Sequence, residues 1–175
     1  MRDDDVFTRA YAGAPVEPEG NPMLSGMGPA AYANRADRVD LTYHGEARIV
    51  PLRAAPGFYL NPRDPDPRGM DVVAVDGKVA GTVIDVWVDR AEPSPRYYEV
   101  ALDGSAGPVL LPATVARVKA RARQLRVKSI LAHQFADVPR TARAARITLL
   151  EEDKTQACYA GGYLYATAER REPLF

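Results

Sequence analysis

The first third of the chain is too rich in proline to form a long helix or the interior of a sheet. Proline fixes φ and removes a backbone donor, so it interrupts both kinds of hydrogen-bond ladder. Lacking a patterned core of its own, the segment 1–68 is predicted to form an extended arm that lies on another protein surface. Its two proline clusters are Pro15, Pro18, Pro22 and Pro29, and Pro56, Pro62, Pro65 and Pro67.

From Met70 onward, apolar and polar residues alternate in short runs separated by Asp-Gly turns at 76–77 and 103–104. About six short strands at close spacing predict a small, strongly bent antiparallel sheet or barrel over residues 69–140. The runs are "MDVVAV", "KVAGTVIDVWVD", "RYYEVAL", "PVLLP", "TVARVKA" and "LRVKSIL". In the second run, strict alternation puts Val83, Asp85, Trp87 and Asp89 on one face and Ile84, Val86 and Val88 on the other.

The last segment, residues 141–175, is predicted to contain a helix over about 148–168. Thr148 and Glu151 have the spacing of a capping box, and acidic residues suit the N-terminal end of the helix dipole. Gly161 and Gly162 inside this helix indicate a kink or a close contact with a neighbouring element. The expected fold is therefore mainly β with a C-terminal helix, preceded by the proline-rich arm.

Charge, cysteine content and motifs exclude several classes of function. The chain has 23 basic and 23 acidic residues, which argues against a protein-wide nucleic-acid footprint. Its one cysteine, Cys158, cannot form an internal disulfide and indicates a reducing compartment. The sequence has no P-loop, G-x-S-x-G or H-E-x-x-H motif, and Cys158 among small and aromatic residues is expected to pack rather than react. We expect no catalysis by this chain.

The connection "DRAEPSPR" concentrates charge at one strand end. Asp89, Glu92 and Arg96 are either the solvated residues of a turn or a proton relay or anion site. His44 and Glu46 form a titratable pair near the end of the arm. They are either exposed loop residues or groups that collect protons or bind a divalent metal.

The run "RVKARARQLRVK", residues 117–128, is strongly basic. It is either a strip that binds phosphate groups or the charged outer face of an edge strand. The absence of interleaved aromatic residues disfavours nucleic acid.

Several segments together resemble a known family. They are "GKVAGTVIDVWVDRAEPSPRYYEVAL", "VLLP" and "ITLLEEDKTQACYAGGYLYA", with "GMGPAAYANR" and "IVPLRAAPGF" upstream. From about Gly20 to about Ala168 the chain is similar to the cytoplasmic domain of the H subunit of the purple-bacterial type photosynthetic reaction centre, which has the PRC-barrel fold. The most specific part is "LLEEDK" followed by "AGG" and an aromatic, since related barrels also occur in ribosome-maturation factors.

The resemblance implies a capping subunit of a type II reaction centre rather than an enzyme. Such a subunit stabilises the L/M core, shields the quinone region and helps to conduct protons to the secondary quinone. It implies no directly bound cofactor, because L and M carry the bacteriochlorophyll, bacteriopheophytin, quinones and non-haem iron. The expected partners are L and M, then a separate transmembrane H fragment, light-harvesting subunits and membrane lipid, but no nucleic acid. The expected location is the cytoplasmic face of the photosynthetic inner membrane, held there through partner subunits.

Site residues follow from the resemblance position by position. Glu92 matches the family's glutamate near the secondary quinone, Asp89 the acidic residue before it, and Arg96 an arginine close to both. His44 matches the first histidine of the family's proton-entry pair, while Glu46 stands where the second is often found and Arg48 where a lysine commonly sits. A carboxylate at 46 can still exchange protons, although at lower pH than an imidazole. We predict no metal site there, because the ligand set differs.

Two alternatives stay open at this stage. Family members begin with a periplasmic stub, a membrane helix and a linker, and this sequence has no run of about 20 apolar residues. Either it is a trimmed piece, or the subunit is split and a small polypeptide supplies the helix; we favour the split subunit. The competing function is a free-standing PRC-barrel adaptor that binds RNA-processing or ribosomal partners through residues 117–128. A small soluble enzyme is the least favoured.

Overall fold

The computed structural model describes residues 18–104 and 107–171 of the 175-residue chain. In these ranges it contains seven strands and one α-helix, joined by short 3₁₀ helices, so the expectation of a mainly β fold with a C-terminal helix is confirmed. The strands are β1 (Ile49–Pro51), β2 (Asp71–Val73), β3 (Val79–Asp89), β4 (Ser94–Leu102), β5 (Val109–Pro112), β6 (Ala116–Lys119) and β7 (Gln124–Val127), and the helix is α1 (Leu149–Tyr165).

The strands form one curved sheet in the order β5-β4-β3-β2-β7-β6, and β1 adds to the far end of β3. The pairings found in the described ranges do not close the sheet, which is consistent with a PRC-type barrel. All neighbours are antiparallel except β2 and β7, which run parallel. The sequence did not predict this parallel pair, because alternation identifies strands but not the direction in which distant strands pair.

Ile84 interrupts the alternation of β3, so the predicted assignment of side chains to the two faces of this strand is wrong at Val83 and Ile84. The register against β4 shifts between Val83 and Asp85, so Ile84 is the extra residue of a bulge and is 48% exposed. Val83 consequently belongs to the main core together with Val86 and Val88, not to the face of Asp85. A bulge turns a strand by one residue, and a pattern of period 2 cannot show where that happens.

The two faces of the β3–β4 hairpin bury different kinds of side chain. One face covers the main core, which is aliphatic around Val86 and Val100 and extends to Phe135 and Tyr159. The other face carries a smaller cluster of Ile49, Trp87, Tyr97, Leu110 and Ile147. Buried acidic residues lie beside these side chains, at Asp85, Asp89, Glu99 and Glu152. This second face is the one that positions the site.

The described part of the arm packs on the chain's own barrel and helix. The 3₁₀ helices Pro22–Leu24 and Gly28–Ala30 contact α1, burying Met23 and Ala30. Strand β1 pairs with the end of β3. Residues 1–17 of the predicted arm lie outside the described ranges. The described part of the arm therefore packs on this chain, and its packing on partner subunits stays a prediction.

Helix α1 begins as predicted and ends earlier. Thr148 Oγ1 accepts from the Glu151 amide, and Glu151 Oε2 accepts from the Thr148 amide, which completes the capping box. The helix ends at Tyr165, and a 3₁₀ helix follows at Ala168–Arg170. Among residues 18–104 and 107–171, no helix has the length and apolar character needed to cross a bilayer.

The paired glycines of α1 allow two close contacts, as the sequence indicated. A Cβ at Gly162 would overlap with Ile130 Cγ2 and lie 2.7 Å from the Ser129 carbonyl oxygen, and one at Gly161 would lie 2.8 Å from the Ala30 Cβ. Nearby, Cys158 is fully buried, and burial raises the pKa of its thiol to about 12. It therefore packs as a neutral side chain at physiological pH.

Candidate functional site

The register of β1 brings arginine from the arm to the end of β3. Ile49 pairs with Asp89, and the Arg90 amide donates to the Arg48 carbonyl at 2.8 Å. Arg48 directly precedes β1, and the pairing of β1 with β3 places its side chain next to the carboxylate of Asp89. The arm and the β3–β4 connection are thus fixed to each other by backbone pairing before any side chain is considered.

Asp89 is a buried, ionised carboxylate that organises the connection. Its side chain is 0% exposed, and Arg48 Nε lies 3.0 Å from each of its two oxygens. Asp89 Oδ1 also accepts from the amides of Ala91 and Glu92, at 2.9 and 3.2 Å. Burial on its own would raise the pKa of Asp89, but these hydrogen bonds and the charge of Arg48 outweigh it and lower the pKa.

Glu92 stands at the exposed end of the same arrangement. Its side chain is 74% exposed, and Glu92 Oε1 lies 3.4 Å from Arg48 Nη2. Arg48 Nη1 also lies 3.5 Å from Asp40 Oδ2. One guanidinium therefore contacts three carboxylates, of which only Asp89 is fully buried.

Glu46 and His44 lie on the arm beside this cluster, with different contacts. Glu46 Oε2 lies 3.3 Å from Arg90 Nη1, and Arg90 also donates to the Ala47 carbonyl. The His44 ring packs edge-on against Tyr43, with the centroids 5.4 Å apart. No hydrogen bond or ion pair in the described ranges joins His44 to Glu46 or Arg48. Glu46 thus contacts the β3–β4 connection through its ion pair with Arg90, whereas His44 packs on Tyr43.

Arg96 belongs to a second group rather than to the Arg48 cluster. The β3–β4 register shifts between Trp87 and Val88, which makes Arg96 the extra residue of β4. Arg96 Nη2 lies 4.0 Å from Glu152 Oε2 on α1. The Tyr97 hydroxyl donates to the same oxygen at 3.1 Å and accepts from Gln156 Nε2 at 3.2 Å.

Glu152 is the buried carboxylate of this second group. Desolvation raises the pKa of its carboxyl, and the hydrogen bond from Tyr97 and the charge of Arg96 oppose that shift only in part. Burial, followed by the charge of Glu152, raises the pKa of Tyr97. Tyr97 is therefore a permanent donor, while Glu152 can change its protonation state closer to neutral pH than an ordinary carboxylate.

A third group, centred on Arg53, was missed by sequence reasoning. Arg53 Nη1 donates to Asp85 Oδ2 at 2.8 Å, Arg53 Nη2 lies 3.2 Å from Glu99 Oε1, and Nη2 also donates to the Ala144 carbonyl at 2.8 Å. Trp87 Nε1 donates to Glu99 Oε2 at 2.9 Å. The available signal was one acidic residue in the middle of each of two strongly apolar strands, "VIDVWV" and "YYEVAL", which requires a cationic partner if that face is buried.

The site holds carboxylates in graded environments, from exposed Glu92 to buried Asp89 and Glu152. Such a set can accept, hold and release protons and can present charge to a docked surface. Within residues 18–104 and 107–171, no group of three or more His, Cys, Asp or Glu side chains is placed to hold a metal ion.

Comparison with known families matches both parts of the chain. Residues 63–134 match the PRC-barrel domain, which agrees with the curved sheet. Residues 6–54 match the N-terminal region of the H chain of the photosynthetic reaction centre. The chain is a reaction centre H-subunit-type protein.

For this H-subunit-type protein, family membership establishes the coarse role. The family is a structural subunit of the photosynthetic reaction centre, so the chain is associated with that complex and with a photosynthetic membrane. The matched arm contains Arg48 and Arg53, and the matched barrel contains the buried carboxylates that these arginines bind, at Asp85, Asp89 and Glu99. The two matched regions are therefore joined by the buried ion pairs described above.

Replacing Arg48 with alanine is expected to destabilise the fold. Asp89 would be left buried without its cationic partner, a change that costs about 3–5 kcal/mol in a dry site. Because Arg48 is itself 30% exposed, we expect about 2–3 kcal/mol, measured by urea denaturation.

The matched control is Arg68→Ala, which removes an arginine from the exposed pair with Asp66. That pair is 47% and 46% exposed, so its loss should cost less than about 1 kcal/mol. Equal losses in the two variants would contradict the account of Asp89.

Glu152→Gln is expected to remove a pH dependence of stability. Because burial raises the pKa of Glu152 in the folded state, the folded protein binds this proton more tightly than the unfolded chain. The contribution of this proton to the free energy of unfolding is complete below the pKa of Glu152 in the unfolded chain. It is lost as the pH rises through the pKa of Glu152 in the folded protein. Stability of the variant relative to wild type should therefore increase from about pH 4 to pH 8.

Denaturation at several pH values measures this, with exposed Asp76→Asn as the control. A difference between Glu152→Gln and wild type that is constant with pH would show that Glu152 keeps its ordinary titration in the fold.

Proposed function

We propose that this chain is the cytoplasmic capping subunit of a type II reaction centre, which stabilises the L/M core, shields the quinone region and conducts protons toward the secondary quinone. The observation that carries the proposal is the β3–β4 connection, in which exposed Glu92 is fixed beside buried Asp89 by Arg48. The match to the H-chain region supports this role over a ribosomal adaptor, since the barrel alone is compatible with both.

The residues of the connection have separable tasks in this proposal. Asp89 and Arg48 fix the backbone at 89–92, because Asp89 accepts from two amides of the turn while it binds the guanidinium. The Glu92 side chain remains mostly exposed, and its carboxylate lies 3.4 Å from Arg48 Nη2. Docking against the L and M subunits would remove water from Glu92 and favour its protonated form.

Reduction of a quinone to a quinol consumes two protons. Glu92 would take up a proton at its carboxylate and release it toward the quinone side, and Arg48 would stabilise the carboxylate that remains. Glu46 of the arm forms an ion pair with Arg90 of the connection, which suits uptake of protons from the cytoplasm. Arg96 would act from the far side of the connection, next to Glu152.

Glu92→Gln is expected to slow proton-coupled reduction of the secondary quinone without loss of the complex. The amide keeps the shape of the side chain but cannot carry the proton. Flash-induced proton uptake and the second electron transfer should each slow by roughly 10²-fold or more, the scale of one general acid–base group.

Exposed Asp76→Asn on the β2–β3 turn is the control and should leave both rates unchanged. The experiment begins with isolation of the tagged chain from a lysate of photosynthetically grown cells. Isolation with ribosomes instead of bacteriochlorophyll would overturn the capping role, and unchanged rates in Glu92→Gln would overturn only its proton-conducting part.

A further inference from the structure

The β6–β7 hairpin carries a dense run of basic residues. Six of its 23 basic residues, and none of its 23 acidic residues, lie between 117 and 128, so the rest of the chain is net acidic. All six side chains are exposed: Arg117, Lys119, Arg121, Arg123, Arg126 and Lys128. Of the ion pairs formed by residues 18–104 and 107–171, none includes a side chain of this set. The fold itself therefore leaves these charges uncompensated.

Two features of the hairpin work against its own stability. Arg117 and Arg126 are directly paired across β6 and β7, and like charges in that position repel. Arg123 has φ +50 at the end of the loop, a left-handed conformation that glycine or asparagine adopts more easily. Protection of an edge strand explains charge on β6, but β7 lies between β2 and β6 and is not an edge. A surface that binds anions accounts for the basic side chains on β7, which edge protection does not explain.

The hairpin points toward the same end of the sheet as the β3–β4 connection. Gln124 of β7 pairs with Asp71, which pairs with Thr82 of β3. Because β7 runs parallel to β2 and β2 antiparallel to β3, the loop before Gln124 projects in the direction in which β3 runs toward Asp89. Val118 of β6 also lines a pocket of about 470 Å³ together with Pro93 and Pro95 of that connection.

We propose that the β6–β7 hairpin binds the anionic headgroups of the membrane surface next to the complex. Guanidinium and ammonium groups suit phosphodiester oxygens, and arginine can bind them through two parallel hydrogen bonds. The choice of lipid over nucleic acid rests on the proposed function, which puts the β3–β4 end toward the membrane. It rests also on residues 117–128 themselves, which contain no aromatic side chain on which a base could stack.

The test is binding of the full 175-residue chain to vesicles of mixed phosphatidylglycerol and phosphatidylcholine. Each basic residue near an anionic surface strengthens binding about fivefold. The variant Arg117→Gln/Arg121→Gln/Arg126→Gln should therefore bind on the order of 100-fold more weakly, and wild-type binding should weaken with added salt. The matched control removes three exposed charges that lie outside the hairpin, by Arg63→Gln, Lys78→Gln and Arg143→Gln. This control should bind the vesicles to within about twofold of wild type.

Circular dichroism is used to check that both triple variants are folded. Equal weakening in both would show that only net charge matters and would overturn the hairpin site. Binding of a single-stranded RNA at salt concentrations where the vesicles do not bind would assign the hairpin to nucleic acid. Competition by inorganic phosphate as strong as that by the vesicles would assign it to a free anion. None of these results bears on quinone reduction, so the proposal can fail while the capping role stands.

Discussion

Three carboxylates on one face of the β3–β4 hairpin set the main constraint on this structure. Asp85, Asp89 and Glu99 are buried, and an ionised carboxylate cannot remain in the interior without a cationic partner. The partners come from outside the hairpin: Arg48 and Arg53 lie in the arm, on either side of β1. The barrel therefore depends on a segment that has little regular structure of its own, and the arm is held by the charges of the barrel.

The same constraint connects folding with the proposed function. The pairing that neutralises Asp89 also holds the backbone of the β3–β4 connection, so the position of Glu92 is a consequence of a buried ion pair. Glu152 and Tyr97 form a second buried contact, which joins that hairpin to α1. A capping subunit that carries protons needs titratable groups in fixed positions, and these contacts provide them without a metal or a disulfide having to be invoked.

The sequence was sufficient for features that depend on local pattern. The strands β2 to β7, the capping box of Thr148 and the close contact at Gly162 each follow from a few neighbouring residues, whereas β1 in the arm was not predicted. The predicted faces of β3 were wrong at Val83 and Ile84, because the bulge at Ile84 is set by the pairing with β4. The parallel β2–β7 pair was missed because strand pairing likewise depends on residues that are distant in sequence. Arg53 was missed because its role depends on Asp85 and Glu99, which are distant in sequence. Of the carried-over site residues, Asp89, Glu92 and Arg48 come together, while their role in proton transfer stays a prediction.

The most direct test of the dependence between arm and barrel is amide hydrogen exchange in Arg53→Gln. Loss of the charge-assisted hydrogen bonds to Asp85 and Glu99 should accelerate exchange at the hydrogen-bonded arm amides of Arg48, Ala55 and Phe58 by on the order of tenfold or more. The control is Arg63→Gln, an exposed arginine of the same arm. Exchange of these amides at the rate of that control would contradict the account, because the arm would then hold its structure without the buried ion pairs.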